Sequence, residues 1–357
     1  MGALPERVPR PDQRGPRNAV TNGSAKSMGA PESHELALVR SAQKAPAWRR
    51  SFWNLDNGFR WLTLLAALTV LGIVGLIISE LLQRSALSWQ KSGIHFFFGT
   101  DWDPVLGSYS ALPFIYGTII SSLVAVIIAV PLAVAVAVFV TEMCPRPLRK
   151  PVSYATELLA AIPSVVYGLW AMYILVPILR LQVEPWLMKH FAWTGLFEGP
   201  AYGIGMLAAG VVMAIMVIPI ISSITREVLS VVPQHQREAA LALGATRWEM
   251  IRMAVLRNAR AGIVGAVILG LGRALGETIA VTMVIGNRPA IAKSLLAPGY
   301  TMASVIANEF AEATDDLYRS ALMEIGLALF IVTIIVNILA GLMVWAVTRG
   351  TPARSNA

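Results

Sequence analysis

Apolar residues gather into six long runs, divided by short polar or proline-marked stretches. About 20 apolar residues in a helix cross a bilayer. Runs of that length fall at roughly 61–82, 114–141, 158–179, 203–225, 262–286 and 325–348, each with one or two ionisable groups at most. Pro163, Pro177 and Pro219 lie inside these runs, which is tolerated where neighbouring helices satisfy the freed carbonyls. Pro131 predicts a kink or tilt in the long second run. The pattern predicts an all-α polytopic membrane protein with six transmembrane helices.

Composition agrees. The 357 residues are 56% hydrophobic and 14% charged, with a mean hydropathy of +0.62, whereas soluble domains carry about 25% charged residues. Cys144 is the single cysteine, so no intrachain disulfide forms. His34, His95, His190 and His235 are far apart and lack metal-ligand spacing. No metal, cofactor or nucleic acid is expected. Residues 1–47, rich in Pro, Gly, Ser and Arg, read as a disordered tail. In 48–60, aromatics interleave with arginines, which suits the lipid headgroup layer and predicts an interfacial helix or elbow, or else a sticky linker. The transmembrane domain occupies 61–349, and 350–357 form a second short tail. No cleavable signal peptide is expected, because the first long apolar run begins only at Trp61.

Charge sets the orientation. Of the 29 Lys and Arg residues, 21 fall before the first span, after the sixth, or in the loops after spans two and four. The other three loops hold 7, and Arg273 lies within a span. By the positive-inside rule both termini face the cytoplasm.

The longest basic loop runs from Arg226 to Gly262. Its pattern predicts two short helices. Pro233 opens the first, which runs through "QREAALAL" and stops near Gly244. Thr246 starts the second, with Glu249 completing a capping box and Trp248, Ile251 and Val255 forming an apolar face. Ala239, Ala240, Ala242 and Ala245 leave the first helix almost without bulk, so another surface can approach its backbone, while Arg237 and Glu238 supply a polar edge. An ordinary solvated hairpin fits the same residues, since alanine is the best helix former.

"EAALALG", with Leu256 twelve residues after Gly244, resembles the EAA motif of bacterial ABC importer permeases, E-A-A-x-x-x-G followed by I-x-L-P. Glu238, Ala239, Ala240, Gly244 and Leu256 match; Ala254 and Arg257 depart from the motif's Ile and Pro. "DWDPVLGSYSALPFIYGTIISS", "AIPSVVYGLW" and "GRALGETIAVTMVIGN" are similar to the C-type permeases of the phosphate-specific (Pst) ABC transporter family, over most of the chain from about Trp102. The resemblance implies an ABC importer type I permease fold in the bacterial inner membrane, with the region around 233–257 as the coupling helix. It implies as partners a second permease subunit, two copies of a cytoplasmic ATPase and a periplasmic phosphate-binding protein, besides membrane lipid. The chain itself would be no enzyme, and it holds no G-x-x-x-x-G-K-[ST] nucleotide loop.

Arg273 and Glu277 stand out in span five. On a helix entering near Gly262, Arg273 lies about 16 Å deep, near the middle of a core about 30 Å thick. A charge there costs about 2.5–3.5 kcal/mol on the lenient insertion scale. On an unbroken helix the two would share a face, about 40° apart. They then read either as an internal staple or as the wall of a translocation path. A guanidinium fork suits phosphate, and partial neutralisation by Glu277 would let the anion leave. Thr278, Thr282, Ser164 and Tyr167 are further candidates for pore lining, although Ser and Thr in spans commonly bond their own backbone. Gly272 and Gly276 form a small-residue G-x-x-x-G beside the charged face, suited to packing against the partner permease or a neighbouring span.

Two other classes stay open. A proton-coupled carrier would use Glu277 as its protonated group but gives the alanine-rich elbow no task. An intramembrane enzyme would want a base among the spans, and no histidine falls in them. Within the importer reading, sulfate or molybdate competes with phosphate as cargo.

Overall fold

The computed structural model describes residues 47–348, with side-chain surroundings from 57 to 346. The expected tails at 1–47 and 350–357 lie outside the described residues, apart from Ala47 itself. Among the described residues the fold is helical, and pairing of extended backbone is confined to one isolated bridge, Asp103 to Ser108. Six helices among these residues are long and apolar enough to cross a membrane.

The first, α1 (Ala47–Arg84), includes 48–60 as helix, and from Asn57 onward it is long and apolar enough to span. The short α2 (Ala86–Ser92) follows, and then the second span, α3 (Leu112–Met143). Pro131 sits within the helical part of α3, whose last turn widens to π at Phe139–Met143. A strongly amphipathic helix, α4 (Arg146–Ala161), precedes the third span, α5 (Ser164–Thr194). Span three therefore starts at Ser164 rather than near 158. Pro163 disfavours helix at the residue before it, and Ile162 is accordingly extended with ψ 128°. The fourth span is α6 (Met206–Ser230).

Helix α7 (Gln234–Ala242) opens after Pro233 and closes before Gly244, whose φ of +84° is the left-handed conformation glycine takes most cheaply. The capping box of Thr246 and Glu249 forms as the pattern predicts. The helix it starts is not a second short one. It continues through a π stretch at Ile251–Leu256 into the fifth span, α8 (Arg247–Leu275). Arg257, where the motif has proline, keeps its N–H and fits the helix, which explains the fusion. Beyond the break come α9 (Ile279–Val284), α10 (Met302–Glu309) and the sixth span, α11 (Asp316–Thr348).

Small residues at every fourth position let the central helices touch. Along α3, Gly117, Ser121, Ala125, Ala129, Ala133 and Ala137 form one fully buried stripe. Gly117 meets the Tyr300 backbone, and from Ser121 onward this side of the helix packs on α6, where a Cβ on Gly210 would stand 2.5 Å from Val124 and 3.2 Å from the Ser121 carbonyl oxygen. On α8 the stripe is Gly262, Ala266, Gly270 and Ala274; Val228 closes on Gly262, and Val217 with Ile221 on Gly270. Lipid offers helices no hydrophobic drive to associate, so such close packing supplies the attraction. Helix α6 is the hub, its core formed by Ala209, Val212, Met213, Val217 and Ile221. At the opposite end of the chain, the face of α11 carrying Ile331, Ile335, Ile338 and Leu342 is exposed, as suits lipid.

Candidate coupling and translocation site

Span five breaks where the sequence reading had it continuous to 286. Gly276 ends α8 with ψ near 2°, and Thr278 bends its hydroxyl onto the Gly276 carbonyl at 3.2 Å. Glycine is a weak helix former and Thr278 competes for backbone groups, so the helix stops there. Arg273 and Glu277 therefore do not share a helix face. Arg273 occupies the last turn of α8, where outward carbonyls favour a cation. Glu277 precedes α9 and accepts from the Ala280 N–H at 3.4 Å, the place where a helix start favours an anion. Among the described residues no ion pair joins the two.

Arg273 is exposed, and so is the side of α8 that carries it. A side chain at Gly265 or Gly272 would meet none of the described residues within 4 Å, one at Gly276 only carbonyls of its own turn, and Leu269 is 60% exposed. Among the described residues no neighbouring span packs on the Gly272–Gly276 pair; the interior contact belongs to Gly262 and Gly270 instead. Thr282 bonds the Thr278 carbonyl at 2.8 Å. Ser164 is half-buried at the start of α5. Tyr167 is buried, and its hydroxyl donates to the Leu159 carbonyl at 2.8 Å, satisfying the end of α4 across the Pro163 break. It packs in the core rather than lining an open wall.

The other site is the foot, α7. Glu238 and Ala239 are exposed, with Glu238 accepting from Gln234 at 2.9 Å; Ala240 turns toward the apolar cluster of Val138, Leu229 and Met250. Leu241 (47% exposed), Leu243 (89%) and Trp248 (62%) present an apolar surface that the other described residues leave open. Arg237, expected on the polar edge, turns inward instead to Glu142. The sequence reading passed over Glu142; an acid at the mouth of a basic loop was the signal available. A cleft of about 640 Å³ opens beside them, lined by Thr141, Glu142, Arg149, Gln234, Arg237 and Arg247. On the far end of the bundle, Trp102 and Tyr318 both donate to Glu309, at 3.0 and 2.6 Å. Asn308 donates to Tyr300, whose phenol is pushed above its ordinary range chiefly by burial.

Residues 104–351 match the family model of the binding-protein-dependent transport system inner membrane component. The chain belongs to this family. It is 44% identical over 322 residues to the phosphate transport system permease protein PstC of Mesorhizobium japonicum, covering 89% of this chain and 98% of that protein. It is 48% identical over 293 residues to the protein of the same name from Xylella fastidiosa, covering 81% and 90%. In fold it is similar to a bacterial ABC transporter that imports the acidic polysaccharide alginate, with a TM-score of 0.54 at 15% identity, over 83% of this chain and 99% of that one. The six-helix permease fold is therefore that of ABC importers, and the chain is a multi-pass inner-membrane permease subunit, a transport component without catalytic function of its own.

Proposed function

We propose that this chain is one permease half of an ATP-driven importer of inorganic phosphate, with both termini in the cytoplasm. The foot carries the reading. A nine-residue, alanine-rich helix is fixed to the bundle on one side and bare on the other, with Leu241, Leu243 and Trp248 uncovered beside it. Apolar surface concentrated on a rigid element marks a protein partner. Glu238, Ala239, Ala240 and Gly244 would seat in a cytoplasmic ATPase, two copies of which serve the complex. The distribution of 21 cytoplasmic against 7 outer basic residues supports that side for the foot.

The relatives named as phosphate permeases support phosphate over sulfate or molybdate. The exposed face of α8 would meet a second, homologous permease through Gly272 and Gly276, and the path would run between the two halves. Arg273 on that face would attract the anion, and Glu277 at the break would keep it from staying; Thr278, Thr282 and Ser164 are weaker lining candidates. A phosphate-binding protein would deliver cargo from outside, and ATP-driven closure of the ATPases would switch the path between outward and inward access.

Reconstitution tests this. The chain, its second permease and its ATPase in liposomes should take up labelled phosphate when binding protein and ATP are supplied, with excess sulfate or molybdate competing poorly. Uptake that resists vanadate but collapses with the proton gradient would instead select the carrier.

A further inference from the structure

A single guanidinium gathers the junction between the foot and the bundle. Arg237 Nη2 and Nε both donate to Glu142 Oε1, at 2.9 and 3.2 Å. Nη2 also donates to the Leu229 carbonyl at 2.9 Å, and Nη1 to that of Val232. Glu142 lies in the last turn of α3, while Leu229 and Val232 lie at the end of α6 and just beyond it. One side chain of α7 thereby grips the cytoplasmic ends of spans two and four. Glu142 is held in turn, its backbone carbonyl accepting from Arg247 at 2.6 Å. A lighter tie reaches span five, from Asn258 to Gln236 at 2.6 Å.

Burial gives the grip its force. The Arg237 and Glu142 side chains are 19% and 8% exposed. Exposed ion pairs contribute little, but removing one partner of a buried pair strands a charge away from water. A guanidinium fork also fixes direction, which an apolar contact does not. The apolar bed beneath, of Val138, Leu229, Val232 and Ile251, resists separation but permits sliding. From α6 the contact continues to α8 through Val228 on Gly262 and Ile221 on Gly270, one turn short of Arg273.

We infer that Arg237 and Glu142 form the transmission joint of this permease: positioning residues that make the foot and the ends of spans two and four move as one body when the foot is pulled. The inference rests on the importer reading above, whose own failure would show in the unaltered complex as uptake independent of ATP.

The test uses the reconstituted complex and measures phosphate imported per ATP hydrolysed. Glu142→Gln and Arg237→Gln should keep the ATPase chain bound and hydrolysing, while imported phosphate per ATP falls roughly fivefold or more, the lower end of coupling energies between sites. The double variant should fall no further than the worse single one, because both remove the same joint. Arg237→Lys, which keeps the charge without the fork, should recover part of the loss. An unchanged ratio in both single variants overturns the joint. So do additive losses in the double variant, or parallel falls in hydrolysis and uptake with the ratio preserved, since the foot would then have lost its seat rather than its linkage.

Discussion

Leu243 offers the sharpest test of where the motor docks. It ends the foot at 89% exposure, with Gly244 turning the chain away immediately after it. Truncation to alanine removes three carbon groups at about 0.8 kcal/mol each if the side chain becomes buried, about 2.4 kcal/mol in all. Scaled by the 89% that a partner could newly cover, the limit is about 2 kcal/mol, or roughly a thirtyfold weaker complex. Leu243 is the last residue before a left-handed glycine and packs little against the described residues, so the loss should fall mainly on binding. Titrating labelled ATPase against the permease pair in nanodiscs measures the dissociation constant directly. Leu106→Ala is the control: that leucine is 78% exposed, in a loop expected on the outer side, and its loss should leave ATPase binding unchanged. Equal affinities for Leu243→Ala and the parent chain would refute the docking of this surface, and a loss confined to Leu106→Ala would invert the orientation.

Three further outcomes follow from the same structure. Arg273→Gln should abolish phosphate uptake while the complex still assembles and hydrolyses ATP; normal uptake would remove Arg273 from the path. Gly117→Ala would push a Cβ to 2.1 Å from the Tyr300 carbonyl oxygen, and since that neighbour is backbone the strain should cost about 1–3 kcal/mol; the melting temperature of the isolated chain should drop, whereas Gly265→Ala, with open space around it, should melt like the parent. Glu324 is fully buried in span six with Ser88 as its polar neighbour, and among the described residues neither carboxylate oxygen makes a well-formed hydrogen bond, so Glu324→Met should leave stability level or raise it, and a clear fall in melting temperature would mean that the contact with Ser88 holds the carboxyl.

Hydropathy alone located all six spans, because the requirement of about 20 apolar residues leaves few alternatives. The foot was equally legible: Pro233, Gly244 and the Thr246–Glu249 box are local signals whose geometry depends on nearby backbone. The breaks were harder. Pro163 and Pro219 look alike in sequence, yet the first separates two helices and the second lies within α6. What differs is the surroundings: Pro219 is buried within a packed hub, whereas the chain before Pro163 belongs to an amphipathic helix with no buried residue. The glycines of span five mislead for a related reason. Spacing marks both Gly262–Gly270 and Gly272–Gly276 as small-residue faces, and only the facing helix decides which one is occupied.

The break at Gly276 changes what the charged residues of span five can do. On a continuous helix, Arg273 and Glu277 would compensate each other, and an arriving anion would have to compete with a tethered carboxylate for the guanidinium. Ending the helix between them gives each ion a separate support, the carbonyl end of α8 for the cation and the amide start of α9 for the anion. Neither support occupies the guanidinium's fork of donors. The cation thus stays on an exposed face with no hydrogen bond or ion pair among the described residues, one residue from the contact line on α6 through Gly270 and Ala274. A displacement of α6 would therefore reach Arg273 through this close packing, and the same step that moved the helix would move the charge relative to whatever faces it.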